Sequence, residues 1–585
     1  MRALLLLLLM LGSAPLQAQT PADADPLAET GPGDRYFPPA FLQRSATIAP
    51  HAMAATSHPL ATQVALDVMR RGGNAVDAAI AANAAIGVLE PTGNGVGGDL
   101  FAIVWSAGDQ KLHGLNASGR APVGVTLERV RADLGVDAGE AEEISTRHPH
   151  SITVPGAVSG WFALHDRFGR TPMADLLAPA VAYARDGAPV PQYIAALWAR
   201  SASLAEQPGF ARTFLPDGRA PREGERFRNP DLARTLERIA AGGRAAFYEG
   251  EIAAETEAFC ARVGCFLTAE DFAAHRADWV EPVGVTFGGH TLWELPPNGQ
   301  GIAALQILQL LQPYDLRSMG HNSAEYLHHL VEAKKIAYED RARYYADPAF
   351  AEAPVEALIS AEYADRRRAL LDPERAGAEF DPGDPRAGRG GTIYLAVGDE
   401  EGNMVSLIQS NYAGFGTGYV PDGLGFSLQN RGAGFSLEPG HPNAYAPGKR
   451  PFHTIIPGFI TRNGRPHMAF GVMGGDMQPQ GHVQVFLNHV VFGMDPQAAG
   501  DAARFRHQGS TEPSGTLRPM ADGGCLALES GVGEPVRQRL AAMGHQLCDD
   551  GWVHYGGYQA VMWDAEEGVY WGATESRVDG QAAGY

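Results

Sequence analysis

Apolar and polar positions alternate with two different periods along this chain, and the switches between them outline its elements. Over 58–71 the apolar residues Leu60, Val64 and Val68 recur at helical spacing until Gly72-Gly73 stops the run. Asn74 is placed to cap a second helix, Ala75 to Val88, whose alanine content suits close approach to a neighbour, and Pro91 closes the unit. A strand is expected from Leu100 to Trp105. Residues 150–280 read mainly as helices, with Thr153-Val154-Pro155-Gly156 as the turn leading in and Thr268-Ala269-Glu270-Asp271 as a helix start. A long helix is expected over 323–345. From 376 to 391 the composition changes to Gly, Pro, Asp and Arg, which marks an exposed linker. Strict alternation then begins at Thr392–Val397, and a turn at Asp399-Glu400-Glu401-Gly402-Asn403 joins it to Met404–Gln409 as a β-hairpin. Strand patterns at 454–460 and 468–472 and a helical run at 535–543 follow. Strands alternating with helices predict an α/β layered protein.

Composition narrows the class. The chain has 585 residues, 45% hydrophobic and 19% charged, as expected of a soluble globular protein with ample apolar surface to bury. Its net charge is -21, and lysine occurs only at Lys111, Lys334, Lys335 and Lys449, which argues against a nucleic-acid partner. Arg2, the apolar run Ala3 to Leu11 and the small-residue stretch ending at Ala18 have the order of a secretory signal, too short for a membrane anchor. Removal of residues 1–18 is therefore expected, leaving a periplasmic or secreted protein that opens with a polar leader over 19–50. The four cysteines suit that compartment. Cys260 with Cys265 and Cys525 with Cys548 form two local disulfides in the simplest of three connectivities, with buried free thiols as the alternative; neither pair has zinc-ligand spacing.

Candidate chemistry centres on Arg389-Gly390-Gly391-Thr392, where the linker meets the strand. A threonine freed at its own amine by cleavage of the preceding peptide bond carries its base with it, and Gly391 permits the strained backbone that an N-to-O acyl shift needs. Two other patterns carry less. Gly93-Asn94-Gly95-Val96-Gly97-Gly98-Asp99 has the look of a phosphate loop, but it follows a helix and leads into a strand, the reverse of what a nucleotide loop requires. His328 and Glu332 stand one helical turn apart, yet no HExxH pattern accompanies them, and a structural role is the better expectation. No metal or cofactor is implied.

From His51 to Tyr585 the chain resembles the γ-glutamyltransferases (γ-glutamyl transpeptidases), which are N-terminal-nucleophile hydrolases. The resemblance rests on Gly72-Gly73-Asn74-Ala75-Val76-Asp77-Ala78-Ala79, Val154-Pro155-Gly156, Phe247-Tyr248, Asp340-Arg341-Ala342-Arg343-Tyr344, the Thr392 strand, Phe415-Gly416-Thr417-Gly418, Lys449-Arg450-Pro451, Gly474-Gly475 and the ending Gly584-Tyr585, all in order. It implies a four-layer α-β-β-α sandwich whose precursor cuts itself before Thr392 into a large subunit (51–391, preceded by the leader) and a small one (392–585), together one domain. Thr392 is then the nucleophile, its α-amine the base, Gly474 and Gly475 the oxyanion donors and Ser410 a helper hydroxyl. The oligomeric state stays open, a homodimer of processed heterodimers being one arrangement.

The same resemblance shows departures. Glutathione-cleaving members hold the donor's α-carboxylate with an arginine and its α-amine with an amide and an acid. Here the arginine falls on Ser118, with Arg120 two residues on; the donor-binding asparagine falls on Tyr412; the amide and acid fall on Arg431 and Gly434; and the paired serines fall on His453 and Thr454. Losing the acid at Gly434 and gaining a cation at Arg431 repels an ammonium and favours an anion. The expected substrate is thus a small-molecule amide whose acyl part bears a carboxylate but no α-amino group, with an exposed surface arginine as the plain alternative for Arg431. The segment 439–449 is short where many members carry a lid, which predicts hydrolysis over transfer. Two other functions fit the sequence: a γ-glutamyl hydrolase or transpeptidase acting on glutathione, and an unprocessed secreted binding protein with the same fold.

Overall fold

The helical pair at the start shows how local signals become layers. In this computed structural model, which describes residues 44–351, 353–382, 393–548 and 554–585, the His58 imidazole caps the helix Pro59–Arg70 and Asn74 caps Ala75–Leu89. Asn74 and Asp77 exchange side-chain and backbone hydrogen bonds as a capping box. Every residue of Ala75–Leu89 is buried, because its small side chains let it lie against a sheet and against neighbouring helices at once.

That sheet has seven antiparallel strands in the order Gln581–Gly584, Met53–Thr56, Ile393–Gly398, Met404–Ser410, Asp99–Ser106, Lys111–Ala117 and Asp278–Val280. The expected hairpin is present, with Ile393 opposite Gln409 and Gly398 opposite Met404. A second seven-stranded antiparallel sheet runs Thr47–Ala49, Val569–Thr574, Tyr558–Asp564, Arg465–Val472, Gly458–Arg462, His290–Glu294 and Val283–Phe287. The two sheets face each other through large-to-small contacts. The Tyr394 ring lies on Gly471, Tyr570 on Gly398 and Met53 on Gly572, each glycine leaving no room for a Cβ.

Helices cover both outer faces. Pro59–Arg70, Ala75–Leu89, Ala157–Phe168, Met173–Asp186 and Pro230–Tyr248 share the core of the first sheet; Gly301–Leu311, Ala324–Tyr344 and Met477–Val490 share that of the second. The result is the four-layer α-β-β-α sandwich, with residues 45–585 forming one compact unit. Cys260 and Cys265 stand 4.4 Å apart at Cα and Cys525 and Cys548 5.7 Å, so both expected pairs are within disulfide reach. The signal segment 1–18 lies outside the described residues, as does the leader up to residue 43.

One strand starts later than its pattern suggests. The run 454–460 enters a ladder only at Gly458, because the Ile455 and Ile456 amides donate to the His453 Nδ1 and Gln478 side chains instead of to a neighbouring strand.

Candidate active site

The strand Ile393–Gly398 sits near the middle of its sheet, between Met53–Thr56 and Met404–Ser410. Gly391 and Thr392, the expected cleavage site and nucleophile, lie outside the described residues. What surrounds the strand's beginning is described. Ser410 ends the partner strand opposite Asp99, is fully buried, and accepts a 2.7 Å hydrogen bond from the Tyr412 amide. Because Tyr394 lies on Gly471, the start of this strand meets the end of Arg465–Val472 at one edge of the sandwich.

Beyond that edge come Gly474 and Gly475, with φ of 119° and 65°, and then the helix Met477–Val490. Their carbonyls turn into the helix: Gly474 accepts from the Met477 amide and Gly475 from Gln478 and from the Gln300 side chain. In a trans peptide the N–H opposes the C=O, so the Gly475 and Asp476 N–H groups point outward from the helix N-terminus, where a developing negative charge is favoured. A Cβ at Gly474 would stand 3.2 Å from the Gly556 Cα and 3.2 Å from the His554 ring. Gly474→Ala is therefore expected to cost about 1–3 kcal/mol of stability and to lower turnover in the same protein, read by thermal melting and an amidase assay. Gly475→Ala, at an ordinary left-handed φ, should cost the smaller part of that range.

The glycine-rich stretch 93–99 supports this edge from behind. A Cβ at Gly97 would collide with the Ser427 carbonyl, and one at Gly98 with the Ser410 carbonyl and Asn411 side chain, so these glycines are needed for close backbone approach. Asp99 is the hub. One carboxylate oxygen accepts from the Gly119 amide (2.8 Å), the Gly156 amide (3.2 Å) and the Gln429 side chain (2.9 Å). The other accepts from His453 Nε2 at 2.9 Å, whose Nδ1 in turn accepts the Ile455 amide, which fixes the proton on Nε2. Burial pushes the Asp99 carboxyl up to about 7, against the pull of Arg431 and of those donors. Burial likewise holds His453 well below the usual histidine range, so it is neutral.

Arg431 is fully buried, not a surface residue. Its Nη1 donates to Thr454 Oγ1 at 3.0 Å, and its guanidinium lies 4.5 Å from the centroid of the half-buried Tyr412 ring, a cation–π contact. Tyr412 has φ of 82°, an unusual backbone for a bulky side chain and one that holds the ring over the cation. Burial lowers the arginine to about 10, and it stays charged at neutral pH. Arg120 is placed differently. It reaches Asp347 at 3.4 Å, Asp278 at 3.5 Å and the Gly448 carbonyl, joining Arg450 in a cluster of ion pairs. Ser118 bonds to Asn116. Among the arginines considered, Arg431 is thus the one held next to Tyr412 and Thr454.

Gln300, which no sequence pattern marks, and Arg341, from the motif at 340–344, brace these groups. Gln300 donates to the Thr454 and Gly475 carbonyls, both at 3.0 Å, and accepts from Arg341 at 2.8 Å. Arg341 also pairs with Asp476 and Glu512 and stacks on Tyr338. One buried glutamine thereby ties the glycine pair to the Arg431 partner. A polar cavity of about 190 Å³, lined by Tyr338, Asp476, Arg506 and Glu512 among others, opens beside the glycine pair. The segment 439–449 is pinned down: Asn443 donates to the Gly434 carbonyl, His441 Nε2 to the Ala342 carbonyl, and the Tyr445 ring packs on Phe435, while Lys449 closes the segment on the Pro442 and Ala444 carbonyls within it. His328 and Glu332 are joined by His545, but both His328 nitrogens are taken by His545 and the Asp372 carbonyl, and Glu332 by Lys335 and the Gly377 amide, as a structural role requires.

Two facing antiparallel sheets between helical layers, with a central strand whose start meets a glycine-opened helix N-terminus, are the layout of the N-terminal-nucleophile hydrolases. The chain belongs to the family described as Gamma-glutamyltranspeptidase, whose model matches residues 61–585. Within that family it is an enzyme of the acylase-like, amidohydrolase branch. It is 37% identical over 555 residues to the oxamate amidohydrolase proenzyme of Klebsiella pneumoniae, covering 92% of this chain and 100% of that one. It is 35% identical over 539 residues to the glutathione hydrolase-like YwrD proenzyme of Bacillus subtilis, covering 91% and 98%. Among solved structures, the cephalosporin acylase from Bacillus halodurans superposes with a TM-score of 0.84 at 41% identity, over 95% of this chain and 99% of that one.

Proposed function

We propose that the protein is a self-processing amidohydrolase that takes an amide whose acyl part carries a carboxylate and no α-amino group. The observation that carries this reading is Arg431, a buried cation bonded to Thr454 at the position where an acid-dependent ammonium grip is expected. Asp99 offsets it only in part at neutral pH. Its two oxygens are occupied by Gly119, Gly156, Gln429 and His453, and its carboxyl titrates near 7. The proenzyme names of the relatives support processing of a precursor, which we place before Thr392, and oxamate, named for the Klebsiella relative, is an amide of the proposed kind.

In this scheme the Thr392 hydroxyl first attacks the Gly391 carbonyl, and hydrolysis of the resulting ester frees the Thr392 amine and the Gly391 carboxylate. The freed amine has a reference pKa of about 7.7–8.0, so it accepts the hydroxyl proton as Thr392 attacks the substrate carbonyl and passes it to the departing amine. The Gly475 and Asp476 N–H groups, one residue on from the expected pair Gly474 and Gly475, stabilise the oxyanion, and water then releases the acid. Ser410 and Asp99 position the edge of the sheet on which this happens. Hydrolysis dominates over transfer because 439–449 is anchored to the body of the protein and forms no long cover. Removal of 1–18 and export to the periplasm or medium belong to the same proposal.

A panel of acyl anilides tests it. Glutaryl anilide should be turned over faster than γ-glutamyl anilide, which differs only by the α-amino group; equal or faster γ-glutamyl turnover sinks the reading in favour of a glutathione-type hydrolase. The kcat/KM ratio of glutaryl to butyryl anilide should also rise several-fold as pH falls from 8 to 6. Asp99 is protonated below about 7, which removes its negative charge from beside Arg431 and favours the anionic donor, while titration of the Thr392 amine cancels in the ratio.

A further inference from the structure

At the opposite end of the second sheet, three histidines from three separate elements converge at the mouth of an open cavity of about 820 Å³. His290 opens the strand His290–Glu294, His467 lies in the strand Arg465–Val472, and His489 lies in the last turn of the helix Met477–Val490. All three are half-buried, and one ring nitrogen from each lies within 4.8 Å of the other two. Two of the rings are oriented from behind. His489 Nδ1 donates to the Met494 carbonyl at 2.8 Å and His290 Nδ1 to the Gly288 carbonyl at 3.1 Å, so each leaves an Nε2 lone pair for the cluster. Carbonyl bonds of this kind are what ligating histidines use to fix tautomer and ring direction. The His467 and His489 Nε2 atoms approach to 2.8 Å and share one proton between two basic nitrogens.

We propose that His290, His467 and His489 form a transition-metal site, zinc being the ion whose chemistry they fit best. Tetrahedral zinc holds imidazole nitrogens at about 2.0–2.1 Å, which places neighbouring nitrogens about 3.3–3.4 Å apart. One pair stands at 2.8 Å and all three nitrogens lie within 4.8 Å of one another, so small adjustments bring them to that spacing. Binding moves the proton that lies between His467 and His489 onto His467 Nδ1, so that three neutral imidazoles face the ion and no proton is lost overall. Water entering from the cavity supplies the fourth ligand. Asp564 and Glu566 line the same cavity together with Arg462 and Arg465, so the surrounding charge is balanced and the imidazoles carry the selectivity. Seven residues of extended chain at about 3.3 Å each separate His467 from Gly474, which places the site about 23 Å from the glycine pair. Its role is to clasp the end of a helix onto two strands, independently of the proposed chemistry.

Full-length protein without a polyhistidine tag, stripped with a chelator, should bind one Zn²⁺ per chain by isothermal titration. It should give the intense visible absorption of tetrahedral Co²⁺ when cobalt is added, and zinc should raise its melting temperature. His467→Gln with His489→Gln should weaken zinc binding at least about 100-fold and abolish the cobalt band, with self-cleavage and anilide turnover unchanged. Absence of stoichiometric micromolar binding in the wild type overturns the site without any variant. Retention of the cobalt band in the double variant overturns the ligand assignment.

Discussion

Thr392→Ala is expected to leave one full-length polypeptide where the wild type shows a large and a small band on a denaturing gel. Turnover of every amide substrate should fall by at least about 10³-fold, since both the nucleophile and the base it carries are lost together. The surroundings favour this outcome. The strand that follows Thr392 is hydrogen-bonded on both sides, and Tyr394, anchored on Gly471 and bonded to Ser406, holds its beginning against the end of the strand that leads to Gly474. The fold itself should be untouched, because none of these contacts uses the Thr392 hydroxyl. Thr392→Ser keeps a hydroxyl and an amine and should still cleave. A Thr392→Ala chain that is cut at the same bond, or a wild type that is never cut, would show that the chemistry lies elsewhere and would favour the binding protein.

Arg431→Met should reverse the substrate preference. Truncating one member of a buried, hydrogen-bonded charge contact costs about 2–5 kcal/mol, so kcat/KM for a carboxylate-bearing anilide should fall by two orders of magnitude or more. An uncharged acyl anilide should change far less, and the loss should appear mainly in KM if the arginine holds the acyl carboxylate equally in ground and transition states. Arg120→Met is the control. Its guanidinium pairs with Asp347 and Asp278, so its loss should lower the melting temperature and leave selectivity alone. Equal selectivity losses in the two variants would assign the carboxylate grip to the whole basic cluster.

Much of the scaffold is legible in the chain because its signals are local. Asn74 and Thr268 cap the helices they are expected to start, His58 and Ser323 cap the helical runs that begin at them, and the alternation around Asp399–Asn403 becomes the central hairpin. Signals that depend on distant partners are harder to read. The run 454–460 has strand composition, but the side chains of His453 and Gln478 take its amides. The glycines at 93–98 are rightly set apart from a nucleotide loop, yet the reason for them, the backbones of Ser410 and Ser427 pressed against them, comes from more than 300 residues later in the chain. Arg431 reads equally well as buried or exposed until the layers close over it. Gln300, which braces two elements of the candidate site, carries no pattern of its own, and the three clustered histidines come from stretches nearly 200 residues apart.

Both sheets draw strands from each side of the Gly391-Thr392 bond: Met53–Thr56 lies between Gln581–Gly584 and Ile393–Gly398, and Gly458–Arg462 lies between Arg465–Val472 and His290–Glu294. Each cysteine pair falls wholly on one side of that bond. Before the proposed cut, assembling these strands is a first-order event within one chain. After it, denatured protein has to find its other half by collision, so recovery becomes second order in concentration and competes with aggregation. The processed enzyme is then a one-time product of its precursor, held by the height of its unfolding barrier, and its useful lifetime is set by a rate and not by an equilibrium.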